Sequence, residues 1–277
     1  MPTVQGLDVP AFFYGTAWKE ERTAPLTRQA LEAGFRAIDT ANQRRHYHEA
    51  GVGEALAGAY ADGLVERDDL FLQTKFTYLR GQDHRLPYDP NAAPAEQVAQ
   101  SFQSSLEHLG TDRLDSYVLH GPSTAYGLAE VDRLVWRAME AEQKAGRTRL
   151  LGVSNISLPQ LVALCDTADV APAFVQNRCF ARTGWDREVR AYCRDHDILY
   201  QGFSLLTANG RELNTPEVDA IAERHQRSLA QIVFRFAQQV GMLPLTGTSD
   251  PDHMRSDLAI DDFELDASEL STLEALG

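Results

Sequence analysis

Residues 149–178 read RLLGVSNISLPQLVALCDTADVAPAFVQNR. The run Arg149–Asn155 has the length of a strand, Leu158–Asp166 follows it with helical character, and Phe174–Arg178 is a second short apolar run. Runs that are apolar nearly end to end, rather than alternating, suit parallel strands covered by helices. One strand–helix–strand unit of this kind sets the class, and the architecture depends on how often it recurs.

It recurs in both directions. Strands are expected at Phe12–Ala17, Phe35–Ala41, Leu70–Phe76, Ser116–Gly121, Leu199–Ser204 and Met242–Thr248, which with the two above makes eight. Helices are expected at Thr23–Ala33, His48–Ala61, Ala93–Leu109, Leu128–Ala145, Arg187–His196, Asp250–Asp257 and Asp266–Ala275. Another covers Pro216–Gln239, with a break near Arg227. Gly34, Gly110 and Gly146 stand just past three of these, where a left-handed residue ends a helix. Eight units without a Pro/Gly/Ser linker predict a single α/β domain over residues 1–277, a closed (β/α)8 TIM barrel. The rival is an open doubly wound sheet, which would carry a glycine-rich turn after an early strand. Neither GxGxxG nor GxxxxGK[ST] occurs.

Composition narrows the partners. A formal net charge of -14 argues against binding nucleic acid or membrane through their phosphates, and requires a local positive or dipolar site for any anionic cofactor. The start MPTVQGLDVP has no basic region followed by an apolar stretch, and no apolar run approaches a membrane span, so a cytoplasmic location is expected. Cys165, Cys179 and Cys193 show no CxxC spacing and read as buried or half-buried free thiols, with no metal site.

In a barrel the chemistry sits where strands end. Here those ends carry Asp39, Lys75, His120, Ser154-Asn155, Gln176-Asn177, Phe203-Ser204 and Thr246-Gly247-Thr248. Each alone is ordinary: an aspartate caps a helix, a lysine sits at a rim, a histidine packs. Together they are not, because FRAIDTA and FLQTKF would bury Asp39 and Lys75, and buried charges cost several kcal/mol unless paired. An Asp39–Lys75 pair on adjacent strands resolves that cost. Tyr47, in the following loop, could fold back over Lys75, whose ammonium would lower the phenol's pKa toward neutrality. His120 could then orient a carbonyl by donating to its oxygen. No side chain supplies hydride, so a cofactor is implied.

These residues resemble the aldo-keto reductase family. The matching pieces, in the family's order, are GTAWK (Gly15–Lys19), GFRAIDTA (Gly34–Ala41), YHEAGVGEAL (Tyr47–Leu56), QTKF (Gln73–Phe76), LDSYVLHGP (Leu114–Pro122), LGVSN (Leu151–Asn155), VQN (Val175–Asn177), YQGFSLL (Tyr200–Leu206) and LPLTGT (Leu243–Thr248). The resemblance implies an NAD(P)H-dependent oxidoreductase, a monomer, acting on a small carbonyl substrate, with the cofactor lying across the strand ends. It implies a catalytic tetrad of Asp39, Tyr47, Lys75 and His120, with Tyr47 as general acid. It also implies that Ser154, Asn155 and Gln176 bond the nicotinamide carboxamide, that Phe203 stacks on its ring, and that Ser204 and Leu205 follow the pyrophosphate. Gly15, Thr16 and Trp18 would line the mouth.

Departures from the family pattern carry their own expectations. NQRRH lengthens the loop before Tyr47, and the common spacing back from Glu49 lands on His46. Only a phenol fits the acid role, so Tyr47 is assigned and His46 is the alternative. Gly121 stands where many members have tryptophan, which implies a roomier pocket. The stretch GTSDPDHMRSD offers His253 and Arg255 as the basic candidates for a 2′-phosphate, with an anion-binding helix N-terminus expected around Thr248–Ser249. NADP(H) is expected over NAD(H) by family habit. The little chain beyond the barrel implies an open, permissive site. The competing functions are a catalytically silent cofactor-binding regulatory barrel, which need not keep the tetrad, and a barrel hydrolase or isomerase, which would need a second acid beside Asp39.

Overall fold

Along Phe71–Phe76 the side chains alternate between two environments. Phe71, Gln73 and Lys75 face the inside of a closed sheet, whereas Leu72 and Phe76 join the apolar layer beneath the helices. The computed structural model describes residues 1–277. A two-stranded hairpin, β1 (Thr3–Val4) and β2 (Leu7–Asp8), comes first. The barrel strands follow: β3 (Phe13–Gly15), β4 (Ala37–Asp39), β5 (Phe71–Phe76), β6 (Leu114–Leu119), β7 (Thr148–Ser154), β8 (Phe174–Arg178), β9 (Leu199–Phe203) and β10 (Met242–Thr246). They close in the order β10-β3-β4-β5-β6-β7-β8-β9, all parallel. The chain is therefore an eight-stranded (β/α)8 barrel.

The helices are α1 (Thr23–Ala33), α2 (Glu49–Ala61), α3 (Pro94–Leu109), α4 (Glu130–Lys144), α5 (Leu158–Cys165), α6 (Arg187–Asp195), a short α7 (Gly210–Leu213), α8 (Pro216–His225), α9 (Leu229–Gln239), α10 (Pro251–Leu258) and α11 (Ala267–Glu274). The expected break near Arg227 is present. Gln226 is left-handed at φ 52, and Ser228 caps α9 in a capping box with Gln231. No helix is long and apolar enough to cross a membrane.

Two features differ from the sequence reading. β6 begins two residues before the expected Ser116 and stops at Leu119. Asp115 reads as a loop residue, yet it lies buried inside the strand because Arg67 at 2.9 Å and Arg149 at 3.4 Å neutralise it. The hairpin was not expected either. Gln5 and Gly6, both at positive φ, make its two-residue turn, and Val4 and Val9 pack in one cluster with Phe13, Phe71 and Phe174.

The barrel interior is thus layered. At the bottom lie apolar residues, among them Phe13, Phe71, Phe174, Leu243 and Leu245. Full burial of each large side chain stabilises the fold by roughly 1.5–3 kcal/mol. Above them the inward positions of β4, β5, β8 and β9 turn polar: Asp39, Gln73, Gln176 and Gln201. The site stands on that polar layer.

Candidate active site

Lys75 is fully buried, and its ammonium has an acceptor for each of its three protons. These are Asp39 Oδ1 at 2.6 Å, Asp39 Oδ2 at 2.7 Å and the Thr40 carbonyl at 2.8 Å. Burial pulls the ammonium below the ordinary lysine range, and the Asp39 carboxylate pulls it back up. Asp39 Oδ1 also accepts from Gln73 Nε2 at 2.7 Å and Gln176 Nε2 at 3.0 Å. The expected ion pair between neighbouring strands is present, in register through the Asp39–Gln73 pairing.

Tyr47 arrives from the loop before α2. Two residues later Glu49 is buried, taking a hydrogen bond from Thr74 Oγ1 of β5 and standing 3.0 Å from His108 Nδ1 of α3. Those contacts pin the start of α2, and Tyr47 N donates back to the Gln43 carbonyl at 3.0 Å. The ring centroid lies 5.4 Å from Lys75 Nζ and 5.9 Å from the His120 ring. The Tyr47 hydroxyl has no hydrogen bond within the protein and keeps access to solvent.

The expected lowering of this phenol's pKa is not found. Burial holds Tyr47 above the ordinary tyrosine value, and the Asp39 carboxylate adds to the rise. Burial is the larger cause, and Lys75, whose protons are all committed to Asp39 and Thr40, does not offset it for the neutral phenol. His46 occupies different ground. Its ring packs tilted against Trp18 at 3.9 Å between centroids, and its carbonyl accepts from Trp18 N at 2.7 Å.

His120 is the first residue past β6, its N–H donating to the Phe76 carbonyl at 2.9 Å. Nδ1 lies 2.7 Å from Thr77 Oγ1. Burial first, then the Lys75 ammonium, lowers its pKa to about 3, so the ring is neutral. Gly121 follows, where an added Cβ would stand 3.4 Å from Asn155 Cβ and 3.5 Å from the Ser154 carbonyl. A Cβ there would make ordinary van der Waals contact with the next strand end.

Around the ring from His120, Ser154 Oγ donates to the Gln176 carbonyl at 2.6 Å, and Asn155 Nδ2 donates to the His120 carbonyl at 2.8 Å. Asn155 and Ser204 both hold positive φ, which turns the chain sharply as it leaves β7 and β9. Gln176 Oε1 has no protein partner, yet it is not sealed off. Phe203 is half-buried, with the Arg178 guanidinium 5.6 Å from its ring centroid. Leu205 has its side chain buried in the core.

Two expectations at the rim change. Thr16 does not line the mouth: it is fully buried, and its N–H and hydroxyl both donate to the Asp39 carbonyl at 3.0 Å. It ties β3 to the site's aspartate, while Gly15 stays half-buried and Trp18 is exposed. The N-terminus of α10 is not a free anion seat. Asp250 caps it, its carboxylate accepting from Asp252 N at 2.8 Å and His253 N at 3.1 Å, and Thr248 Oγ1 accepts from Asp250 N at 3.2 Å. His253 is exposed, and Arg255 pairs with Asp252.

Three groups at the site escaped the sequence reading. Lys19 is only 5% exposed and has no carboxylate partner. Its Nζ donates to the Gly247 carbonyl at 2.6 Å, and burial lowers its pKa to about 8. A lysine directly after Trp18, at the end of the apolar run that begins at Phe12, was the available signal. Thr77 and Gln201 gave weaker signals, since their partners His120, Gln73 and Gln176 lie far along the chain. No group of three or more His, Cys, Asp or Glu is arranged to hold a metal ion.

Comparison with known proteins agrees with this geometry. The model of the Aldo/keto reductase family matches residues 12–277. The chain is similar to an aldo-keto reductase of Mycolicibacterium vanbaalenii, 33% identical over 247 residues that cover 89% of this chain and 80% of that one. A crystal structure of an aldo/keto reductase from Brucella melitensis superposes with a TM-score of 0.84 at 28% identity, covering 99% and 98% of the two chains. The Bombyx mori aldo-keto reductase AKR2E4 in complex with NADP shares the fold at a TM-score of 0.83 and 23% identity, covering 99% and 91%. With the match running almost from end to end and the barrel closed in the same way, the chain belongs to the aldo/keto reductase family.

Proposed function

We propose that this protein reduces an aldehyde or ketone with NADP(H), Tyr47 acting as general acid. One observation carries the reading: the Tyr47 hydroxyl, free of any protein partner, stands beside a neutral His120 and a buried Asp39–Lys75 pair. The residues present suit a nicotinamide cofactor. Gln176 Oε1 is an open acceptor for a carboxamide N–H, Asn155 stands exposed next to it, and the half-buried Phe203 ring offers a stacking face. Lys19 is the local positive charge that an acidic chain needs for an anionic ligand.

When bound, the reduced cofactor supplies the hydride. The rest of the chemistry belongs to the chain. His120 is neutral; when the Thr77 hydroxyl, 2.7 Å away, donates to Nδ1, the ring proton is on Nε2, which then hydrogen-bonds the carbonyl oxygen. Tyr47 rests in its protonated form, because burial and Asp39 both favour the neutral phenol. It gives that proton to the reacting oxygen, which as an alkoxide is more basic than the phenolate left behind. Lys75, 5.4 Å from the ring centroid, moderates the new negative charge.

The substrate class proposed is a small carbonyl compound. NADP(H) is favoured by family habit and is the form bound in the silkworm structure. NAD(H) is the alternative, favoured by the capped end of α10. The test is oxidation of NADPH, followed by absorbance, with a simple aromatic aldehyde. Tyr47→Phe should abolish turnover and leave cofactor binding intact. Turnover by that variant at the parental rate would remove Tyr47 from the acid role, and binding without turnover across many carbonyl compounds would favour the silent regulatory barrel.

A further inference from the structure

We infer that Gln201 is a positioning residue that fixes which way the Gln176 amide faces, and so presents Gln176 Oε1 to the cofactor. The inference rests on the cofactor reading above and names a residue to which that reading gives no part.

Gln201 lies fully buried on β9, across from Asp39 in the polar layer. Its Oε1 accepts from Gln73 Nε2 and from Gln176 Nε2, both at 2.9 Å. Its Nε2 returns a bond to Gln73 Oε1 at 3.1 Å. The reciprocal pair with Gln73 settles the orientation of the Gln201 amide. Turned over, it would set nitrogen against nitrogen and oxygen against oxygen.

That orientation passes to Gln176. Its Nε2 meets two acceptors, Asp39 Oδ1 at 3.0 Å and Gln201 Oε1 at 2.9 Å. Reversing the amide would put its oxygen against a carboxylate oxygen and an amide oxygen in a dry interior, where unpaired polar groups are costly. Gln176 Oε1 therefore faces the other way, with no protein partner and with access to the site. An outward carbonyl reads an N–H donor, such as the carboxamide nitrogen of nicotinamide. An outward NH2 would not.

Asp39 supplies part of this control, but Asp39 Oδ1 already accepts from Lys75 and Gln73 as well. Gln201 supplies the second acceptor and holds the amide plane. Loss of one neutral hydrogen bond of this kind corresponds to a roughly three- to tenfold change in affinity.

The experiment is a calorimetric titration of NADPH, and in parallel NADH, into the parent, Gln201→Met, Gln176→Ala and the double variant. Gln201→Met keeps length and volume and removes both hydrogen-bonding functions. Expected are a three- to tenfold weaker cofactor affinity for Gln201→Met, an unchanged KM for aldehyde, and a double variant that binds no worse than Gln176→Ala alone. A merely structural Gln201 would give losses that add in the double variant. That result, or parental affinity in Gln201→Met, overturns the inference. Gln201→Asn, one methylene shorter and still polar, carries the same expectation if the methionine variant does not fold. A parent that binds neither cofactor sinks the cofactor reading itself, an outcome distinct from equal binding by parent and variant.

Discussion

The Thr77 hydroxyl stands 2.7 Å from His120 Nδ1, joining the first residue after β5 to the first residue after β6. A neutral imidazole has one proton for two nitrogens, and a hydroxyl that donates to Nδ1 favours the tautomer protonated at Nε2. Thr77 is held in turn by Gly81, where an added Cβ would fall 2.7 Å from Thr77 Cγ2.

Thr77→Val should therefore lower kcat/KM for carbonyl reduction by about tenfold, with cofactor affinity and Tm close to parental. Thr77→Ser should restore most of the loss. Gly81→Ala should reproduce the valine phenotype, since Thr77 must move to admit the methyl. Steady-state kinetics on the four proteins checks this, and a valine variant with parental kcat/KM would remove Thr77 from the mechanism.

Lys75→Met leaves Asp39 buried without a counter-charge, which should destabilise the fold by about 3–5 kcal/mol in urea titrations. Adding Asp39→Asn should recover much of that loss, because the stranded charge is then gone. Neither variant should turn over substrate.

Lys19 carries its charge below about pH 8. If it faces the cofactor's phosphates, NADPH affinity should fall as pH rises through that value, and Lys19→Met should bind weakly at every pH with a flatter profile and a shallower salt dependence. In the free protein the sign for stability is opposite. The folded state binds fewer protons than the unfolded chain between about pH 8 and the ordinary lysine value of 10.5, so stability rises with pH across that window.

Asp257 of α10 is 2% exposed, makes no salt bridge, and accepts one hydrogen bond from Thr246 Oγ1 at 2.9 Å. Burial raises its carboxyl from 3.8 to about 6. The folded state therefore holds this proton more tightly, and stability contributed below pH 3.8 is lost as pH rises through about 6. Asp257→Asn should be more stable than the parent at pH 7 by about 1–2 kcal/mol, and the advantage should vanish near pH 4. Urea unfolding at the two pH values decides it.

The barrel was legible because each strand is a short apolar run next to an amphipathic one, and local periodicity reports that directly. Asp39, Lys75 and His120 were legible for the same reason: a charged or polar residue closing an apolar run stands out. What stayed hidden depends on partners distant in sequence. Asp115 reads as a loop residue until Arg67 and Arg149 are seen to neutralise it. Gln73, Gln176 and Gln201 each look like one polar residue in a strand, and only closure of the barrel joins them. Thr16 looks like a rim residue, but its hydroxyl turns inward to Asp39. The choice between His46 and Tyr47 turns on loop conformation, which spacing alone does not resolve. In the structure Tyr47 faces Lys75 and His120, while His46 faces Trp18.

The clasp between Trp18 and His46 divides the chain's three indoles by environment. Trp136 and Trp185 are sealed in the core, with their N–H groups on the Val170 and Leu273 carbonyls. Trp18 is 68% exposed at the rim of the site. Two emitters should thus give a steady background while one senses whatever enters the mouth. A change in intrinsic fluorescence on adding a ligand then reports occupancy at one known place, and Trp18→Phe should silence the signal without dimming the core. The protein carries its own optical probe, positioned by the loop that closes the site's edge.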